Sequence, residues 1–243
     1  MTELVTLRQP RDLGRVISDS FAVLGATWTQ LCVVVAPAVL VSILIALISV
    51  LVADVVWLST VFLLISLPID LMAYELVSAA GIALLIAREQ RQDISTGDAL
   101  DAAQDRFRAV IVAAFKTTAI SVLLCLTIIG IPWAIKRLVL WAFIIQAIML
   151  DRQTGEASLG YSAGLVKGHW WNTFGRLVAC FLVAGIPALI VSQIVLEAVP
   201  GTLGLILSST ASFISLPFGI IATTLLYFDL KVRGAANDDL SPA

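Results

Sequence analysis

The feature that most constrains this chain is a series of six apolar stretches, each of membrane-spanning length. A stretch of roughly 20 apolar residues is what crosses a hydrocarbon core of about 30 Å. With 60% hydrophobic and 13% charged residues in 243, the composition excludes an ordinary soluble domain. The sequence therefore predicts an all-α integral membrane protein with six transmembrane helices. The predicted spans are Leu31–Val52, Pro68–Ala87, Ala109–Ile129, Pro132–Leu150, Leu177–Val199 and Leu203–Phe228.

The basic residues are sorted to one side of these predicted spans. If the N-terminus is cytoplasmic, all of the 15 Lys and Arg residues except Lys136 and Arg137 fall in the cytoplasmic half. This asymmetry is typical of the positive-inside rule. It predicts a multi-pass protein of a bacterial inner (cell) membrane with both termini in the cytoplasm. Because topology accounts for the basic residues, nucleic acid is excluded as a partner.

No residue pattern indicates a catalytic, cofactor or metal site. The longest polar stretch, Arg88–Arg108, is far shorter than an enzyme domain of roughly 100 residues. Cys32, Cys125 and Cys180 lie within predicted spans and are interpreted as small apolar side chains. The single histidine, His169, precedes two tryptophans, a pattern typical of the aromatic belt at a membrane interface. We therefore expect no enzyme activity, no cofactor and no metal.

The chain divides into three similar units, 11–89, 95–152 and 156–233, which together form one membrane domain within 1–233. Each unit is predicted to begin with an amphipathic helix on the cytoplasmic side and to continue as a transmembrane hairpin. Ser95 and Asp98 form a predicted capping box at the second of these helices. The polar tail 234–243 is predicted to be disordered. The predicted surface helices are Leu13–Ala26, Thr96–Arg108 and Ala157–Lys167.

The first unit carries an additional apolar segment, Val55–Ser66. A continuous helix from there to Ala87 would be about 50 Å long, which exceeds one bilayer crossing. We therefore expect Val55–Ser66 to form a separate interfacial or re-entrant piece. Pro37, Pro187 and Pro217 are expected to kink spans one, five and six.

Two acids and two bases lie deep inside predicted spans two and four: Asp70 and Glu75 in span two, and Lys136 and Arg137 in span four. Their heights above the cytoplasmic end are similar, at about 18–25 Å. Asp70 and Glu75 are separated by about 140° around the helix, so both cannot face one neighbour. One interpretation is an acid–base pair between the two spans, with the other base extended outwards. The alternatives are an outer-leaflet site for a lipid phosphate or small anion, or a proton or ion relay.

Three acids close the cytoplasmic ends of the even-numbered spans: Glu89, Asp151 and Asp229. We expect them to bind the surface helices into a cytoplasmic collar through nearby basic residues. Exposed ion pairs contribute only about 0–1 kcal/mol each, so the collar would orient the helices more than stabilise them. The basic residues expected there are Arg15, Arg106, Arg108, Lys167 and Arg176.

Gly160, Gly164 and Gly168 recur every four residues and fall near one face of the third surface helix. A face of small residues allows a second helix to approach closely. The sequence leaves open whether that helix belongs to this chain or to a partner.

Three segments resemble a family of uncharacterised bacterial membrane proteins: Arg11–Gly14, Gly168–Trp171 and Thr223–Arg233. The family is named for the membrane domain attached to some glycerophosphodiester phosphodiesterases, and its last span ends in a similar sequence with arginine commoner at the position of Lys231. In those enzymes the reaction belongs to a separate barrel domain with metal-binding acids and histidines, which has no counterpart in this sequence. The resemblance implies a standalone integral membrane protein of undetermined role.

These observations favour a non-enzymatic scaffold or accessory subunit of a bacterial membrane or envelope complex. Its expected partners are the lipid bilayer and a membrane protein or a second copy of the chain. The alternative is a carrier or binding protein for an anionic lipid or small anion that uses Lys136 and Arg137. An intramembrane enzyme would need a nucleophile with an acid–base partner, and the sequence does not supply that combination.

Overall fold

The computed structural model describes residues 9–90, 92, 94–125 and 130–238, and every regular element in these residues is a helix. The protein is therefore all-α, as predicted. A short 3₁₀ turn, Phe213–Ser215, separates the last two helices. The helices are α1 (Leu13–Val52), α2 (Val56–Glu89), α3 (Thr96–Gln104), α4 (Phe107–Cys125), α5 (Ile131–Leu140), α6 (Ile144–Asp151), α7 (Gly155–Val166), α8 (Trp170–Ala198), α9 (Thr202–Ser212) and α10 (Leu216–Asp238).

Five helical segments are long and apolar enough to cross a membrane, judged by their length and composition. They indicate a membrane protein. Helix α4, which covers most of the predicted third span, is not one of the five, and it carries Arg108 and Lys116. The end of that predicted span, 126–129, lies outside the described residues. The five segments are Leu13–Val52, Val56–Glu89, Ile131–Asp151, Trp170–Ala198 and Thr202–Gly234.

The first predicted surface helix and the first predicted span are one continuous helix, α1, so the prediction of two separate elements is wrong. No glycine or proline lies between Ala26 and Leu31 to end a helix. Thr27 in this join donates its hydroxyl to the carbonyl of Val23 at 2.7 Å, which a helical threonine can do. Val16, in the first turns of α1, is fully buried. This part of the helix therefore contributes to the protein core.

Helix α2 is also continuous, so the separate interfacial piece predicted at Val55–Ser66 is not formed. Pro68 lies inside this helix. A proline removes one helical hydrogen bond, and membrane helices tolerate that loss. The helix is about 50 Å long, and its first half is largely exposed whereas Val77–Leu85 is largely buried. Only the second half of α2 therefore contributes to the core.

Two predicted spans are interrupted within the structure. The predicted fourth span is divided into α5 and α6 by a turn at 141–143. The predicted sixth span is divided into α9 and α10 by the 3₁₀ turn. Pro217 lies at the start of α10, where its missing N–H costs no helical hydrogen bond. It therefore begins a helix, whereas the sequence predicted a kink within one.

The two short helices α3 and α7 lie near their predicted positions. At the start of α3, Ser95 accepts a hydrogen bond from the backbone N–H of Asp98, and the Asp98 carboxylate accepts from Ser95 in return. The capping box is thus confirmed. The hydrogen bonds from the Ser95 side chain and backbone lower the pKa of Asp98. Ala99 and Ala103 of α3 are fully buried, so this helix packs on the bundle.

The core lies where α1, α2 and α10 meet. Leu31, Ile82 and Leu225, one from each helix, are essentially inaccessible to solvent. Gly81 allows the closest approach, because an added Cβ there would lie 3.0 Å from the Cδ1 atom of Ile220. Helix α10 continues to Asp238, so the first half of the tail predicted to be disordered is helical. Residues 239–243 lie outside the described part.

Candidate functional site

Asp229 of α10 is a fully buried carboxylate that accepts hydrogen bonds from three arginines. The backbone N–H of Arg11 donates to its Oδ1 at 2.6 Å. The guanidinium of Arg176 on α8 donates to Oδ2. Nε of Arg233 lies 2.9 Å from both oxygens. Since a buried charge is stable only when it is paired and hydrogen-bonded, Asp229 joins the segment before α1 to α8 and α10.

Arg11 extends this cluster towards the N-terminus. Its residue is 1% exposed, and its Nε donates to Oδ2 of Asp19 at 2.8 Å. Nη2 of Arg233 donates to the Arg11 carbonyl at 2.9 Å. Next to it, Asp12 accepts the backbone N–H of Arg15 at 2.8 Å and caps α1. The chain therefore enters α1 through a buried ionic cluster.

Asp151, the last residue of α6, forms a second cluster. The hydroxyls of Tyr161 on α7 and Tyr227 on α10 both donate to its Oδ2, the first at 2.9 Å. The ammonium of Lys231 donates to Oδ1. Desolvation, followed by the hydrogen bond to Asp151, raises the pKa of Tyr161. These contacts join α6, α7 and α10.

Among the residues predicted to form the collar, the structure brings together Asp229 and Arg176, while Asp151 binds tyrosines and a lysine that the prediction did not include. Arg106 donates to two carbonyls at the C-terminal end of α6, a common use of basic residues at helix ends. Glu89 is half-buried at the end of α2. Three predicted partners are exposed and form no ion pair in the described part of the chain: Arg15, Arg108 and Lys167.

The four intramembrane charges are not brought together. Within the described residues, no base lies within 4.0 Å of Asp70 or Glu75. The acid–base pair predicted between spans two and four is therefore not formed. Asp70 instead accepts a hydrogen bond from the hydroxyl of Ser42 on α1 at 2.9 Å. Residue depth alone does not define which neighbours a side chain meets, and Lys136 and Arg137 are exposed on α5.

Lys136 and Arg137 lie on the exposed face of α5 beside tryptophans. The Lys136 ammonium is 5.6 Å from the ring centroid of Trp133, and the Arg137 guanidinium carbon is 5.2 Å from that of Trp141. These distances fit cation–π contacts. Trp170 also donates its indole N–H to the Lys136 carbonyl at 3.3 Å.

The two acids of α2 line two different cavities. Asp70 lines a cavity of about 590 Å³ between α1, α2, α8 and the α9–α10 segment. Glu75 lines a cavity of about 460 Å³ between α2, α4, α5, α6 and α10, which we name the Glu75 cavity. Tyr74, Gly219 and Thr223 border both. Each cavity therefore contains one carboxyl group, and α2 and α10 form the wall between them.

Ser162 of α7 supports the interruption between α5 and α6. The backbone N–H of Phe143 in the turn donates to the Ser162 hydroxyl oxygen at 3.2 Å. The same hydroxyl donates to the carbonyl of Leu140, the last residue of α5, at 2.8 Å. Ser162 is fully buried. Since an interrupted helix at membrane depth must have its backbone groups bonded within the protein, this serine makes the break possible.

The glycine face of α7 is exposed. A Cβ added at Gly160 or Gly164 would meet no atom of the described residues within 4 Å. Gly168, which the sequence placed on the same face, lies beyond the end of α7 and has a positive φ of 85°. The opposite face carries Ser162 and Val166, both fully buried. Helix α7 is therefore fixed to the bundle on one side and open on the other.

Comparison of the chain with protein-family models, with curated proteins and with solved structures finds no match. Within the described residues, no group of three or more His, Cys, Asp or Glu side chains is placed to hold a metal ion. The function of the chain is therefore inferred from its own residues and contacts.

Proposed function

We propose that this chain is a non-enzymatic integral membrane protein that serves as a scaffold or accessory subunit of a complex in a bacterial inner membrane. In this proposal the chain crosses the membrane six times as three hairpins, with both termini in the cytoplasm and α4 supplying the additional crossing. The five apolar helical segments and the one-sided distribution of basic residues support this topology. The resemblance to the uncharacterised bacterial family is consistent with it.

The observation that carries the scaffold proposal is the exposed glycine face of a rigidly held helix. Ser162 and Tyr161 fix α7 to the α5–α6 break and to Asp151. Gly160 and Gly164 point away from these contacts into open space. Small residues on a fixed helix let a second helix approach closely. The occupant we propose is a helix of another membrane protein.

The test is the double variant Gly160→Leu/Gly164→Leu, analysed by native mass spectrometry after gentle release from the native membrane. An added Cβ at either position meets no atom of the described residues within 4 Å, so we expect the fold to be retained. The matched control is Gly25→Leu, which places leucine at another exposed, open position on α1.

We expect a second polypeptide at a fixed ratio with the unmodified chain and the control, and its loss from the double variant. If the bound polypeptide is a second copy of this chain, the complex is a homo-oligomer and the proposed hetero-complex is wrong. If the unmodified chain retains no stoichiometric protein, the scaffold proposal is wrong.

A second candidate function is the binding or carriage of an anionic lipid or small anion at Lys136 and Arg137. The observation in its favour is that both cations are exposed on α5 and form no ion pair within the described residues. A charge at membrane depth without a counter-ion is costly, and a lipid phosphate would offset that cost.

The variant Lys136→Gln/Arg137→Gln should lose co-purifying anionic lipid, measured by lipid mass spectrometry. The control Arg15→Gln/Lys167→Gln removes two exposed cations elsewhere and should retain it. Equal lipid retention in both double variants would exclude this function.

A further inference from the structure

We propose that the Glu75 cavity binds a small organic cation, with a protonated primary amine against Glu75 and an apolar body along the cavity walls. This ligand site is distinct from the glycine face of α7 and from the exposed basic pair on α5. It therefore does not depend on either function proposed above.

The first observation is a group of buried oxygens without hydrogen-bond donors. Oε2 of Glu75, Oγ of Ser121 and Oε1 of Gln146 are all buried and have no partner in the described part of the chain. All three residues line the Glu75 cavity. Buried polar atoms in proteins are nearly always hydrogen-bonded, so three exceptions around one cavity indicate a missing donor.

The hydrogen bonds around Gln146 show that its amide oxygen is the group left to accept. The side-chain nitrogen of Gln146 lies 3.0 Å from the Thr223 hydroxyl oxygen. Thr223 donates its single hydroxyl hydrogen to the Gly219 carbonyl at 2.8 Å, so it accepts from Gln146. Gln146 is only 4% exposed, and its oxygen remains as a buried acceptor in the cavity wall.

Two further hydroxyls of the cavity are acceptors for the same reason. Thr117 donates to carbonyls within α4, and Ser78 donates to the Tyr74 carbonyl at 2.8 Å. Each hydroxyl has then used its hydrogen and keeps only lone pairs for a ligand. A ligand that bonds to Ser78, Thr117 or the Gln146 oxygen must therefore supply hydrogen-bond donors.

The charge of the lining favours a cation over a neutral donor. Among the described residues that line the cavity, Glu75 carries the one carboxyl group and none is Lys, Arg or His.

The size of the cavity favours an organic cation over a metal ion. Its volume of about 460 Å³ falls in the range of small-molecule sites, about 300–1,000 Å³. Much of the wall is apolar, including Leu71, Ile82, Val110 and Ile145. An ammonium group with an attached hydrocarbon body matches both the acceptors and the apolar wall.

The experiment uses the full chain in nanodiscs of choline-headgroup lipid, which contains no primary amine. The probes are hexylammonium, hexanol and hexanoate, which share one hydrocarbon chain and differ in charge, and sodium ion alone. Thermal unfolding is followed at increasing probe concentration. We expect saturable stabilisation by hexylammonium and none by the other three probes.

The variants then locate the binding. Glu75→Gln keeps the side-chain shape and should weaken hexylammonium binding at least tenfold. Ser121→Ala should weaken it several-fold and serves as a second test with little risk to folding. The matched control is Asp70→Asn, on the same helix but in the other cavity, which should bind like the unmodified chain.

Equal stabilisation by hexanol would show apolar binding alone and overturn the proposal. Stabilisation by sodium ion and not by hexylammonium would also overturn the proposal and would indicate a metal-ion site. Unchanged binding in Glu75→Gln would exclude this cavity as the site.

Once amine binding is established, its natural source can be distinguished. Nanodiscs that contain ethanolamine-headgroup lipid should lower the apparent hexylammonium affinity if a lipid headgroup occupies the site. An unchanged affinity would assign the site to a free amine.

Discussion

Neutralising Asp229 by the substitution Asp229→Asn should strongly destabilise the charged end of the bundle. The change keeps the side-chain shape but removes the negative charge from a residue that is fully buried. It leaves the guanidinium of Arg176, which is 13% exposed, without the carboxylate that accepts its hydrogen bond. The amide nitrogen of asparagine also presents a donor to neighbours that are themselves donors.

The size of the destabilisation depends on which contacts each arginine keeps after the charge is removed. Breaking a buried ion pair by removing one member costs about 3–5 kcal/mol. Arg233 is 41% exposed, so its guanidinium can turn towards water. Arg11 keeps the Asp19 carboxylate for its side chain. The loss is therefore concentrated on Arg176, and we expect a decrease in the free energy of unfolding of about 3 kcal/mol, at the lower end of that range.

The assay is equilibrium unfolding in mixed micelles, combined with limited proteolysis of the C-terminal end of α10. The matched control is Asp101→Asn, which neutralises an exposed acid on α3 and should change stability by less than about 0.5 kcal/mol. The double variant Arg176→Met/Asp229→Asn should be less destabilised than the sum of its single changes. A free energy and a protease pattern for Asp229→Asn equal to those of the control would refute the reasoning.

Three further predictions concern single contacts. Ser162→Ala should lower the free energy of unfolding by about 1–3 kcal/mol, because it leaves the α5–α6 break without its hydrogen bonds. Ser158→Ala loses only a hydroxyl bond within its own helix and should lower the free energy of unfolding less in the same assay. Gly81→Val should lower the free energy of unfolding by about 1–3 kcal/mol by overpacking α2 against α10. Gly175→Val, at an open position, should lower it less, and equal decreases in the two variants would contradict the overpacking argument. The lowered pKa of Asp98 means that its stabilisation of α3 is present above the unfolded pKa of about 3.9 and is lost as pH falls through the folded pKa. Hydrogen exchange of α3 amides, corrected for intrinsic rates, should therefore rise in acid, and the Asp98→Asn variant should lack this dependence.

The sequence predicted well those features that depend on short segments. A 20-residue apolar stretch and a serine–aspartate capping box are both local patterns. Five apolar helical segments overlap predicted spans, and the cap of α3 was found where expected. The continuity of α1 and α2 was predicted wrongly, because the change from polar to apolar residues in α1 and the length of α2 were taken as signs of a helix end. Pro68 alone did not end α2, since a single lost hydrogen bond is tolerated within a membrane helix.

The candidate site was harder to predict because its contacts join distant parts of the chain. Asp229 and Arg233 are spaced as an i,i+4 pair on one helix, so the sequence carried a local signal for that contact. Tyr161 and Tyr227 carried none, as their meeting at Asp151 depends on how α6, α7 and α10 pack. Gly81 was likewise not singled out, because its role depends on a side chain of another helix.

Helix α10 links the Asp229 cluster to the Glu75 cavity. Its end is fixed by Asp229, and Thr223, six residues earlier and about 9 Å along the helix, orients the amide of Gln146 in the Glu75 cavity. A rotation of α10 by one residue, about 100°, would move Thr223 away from Gln146 and release the constraint on that amide. Asp229 bonds α10 to the Arg11 backbone and to Arg176 of α8, so we expect these contacts to oppose such a rotation. A defined register of α10 is a role that a buried charge can have even where its desolvation is costly, and the Asp229→Asn variant tests that role here.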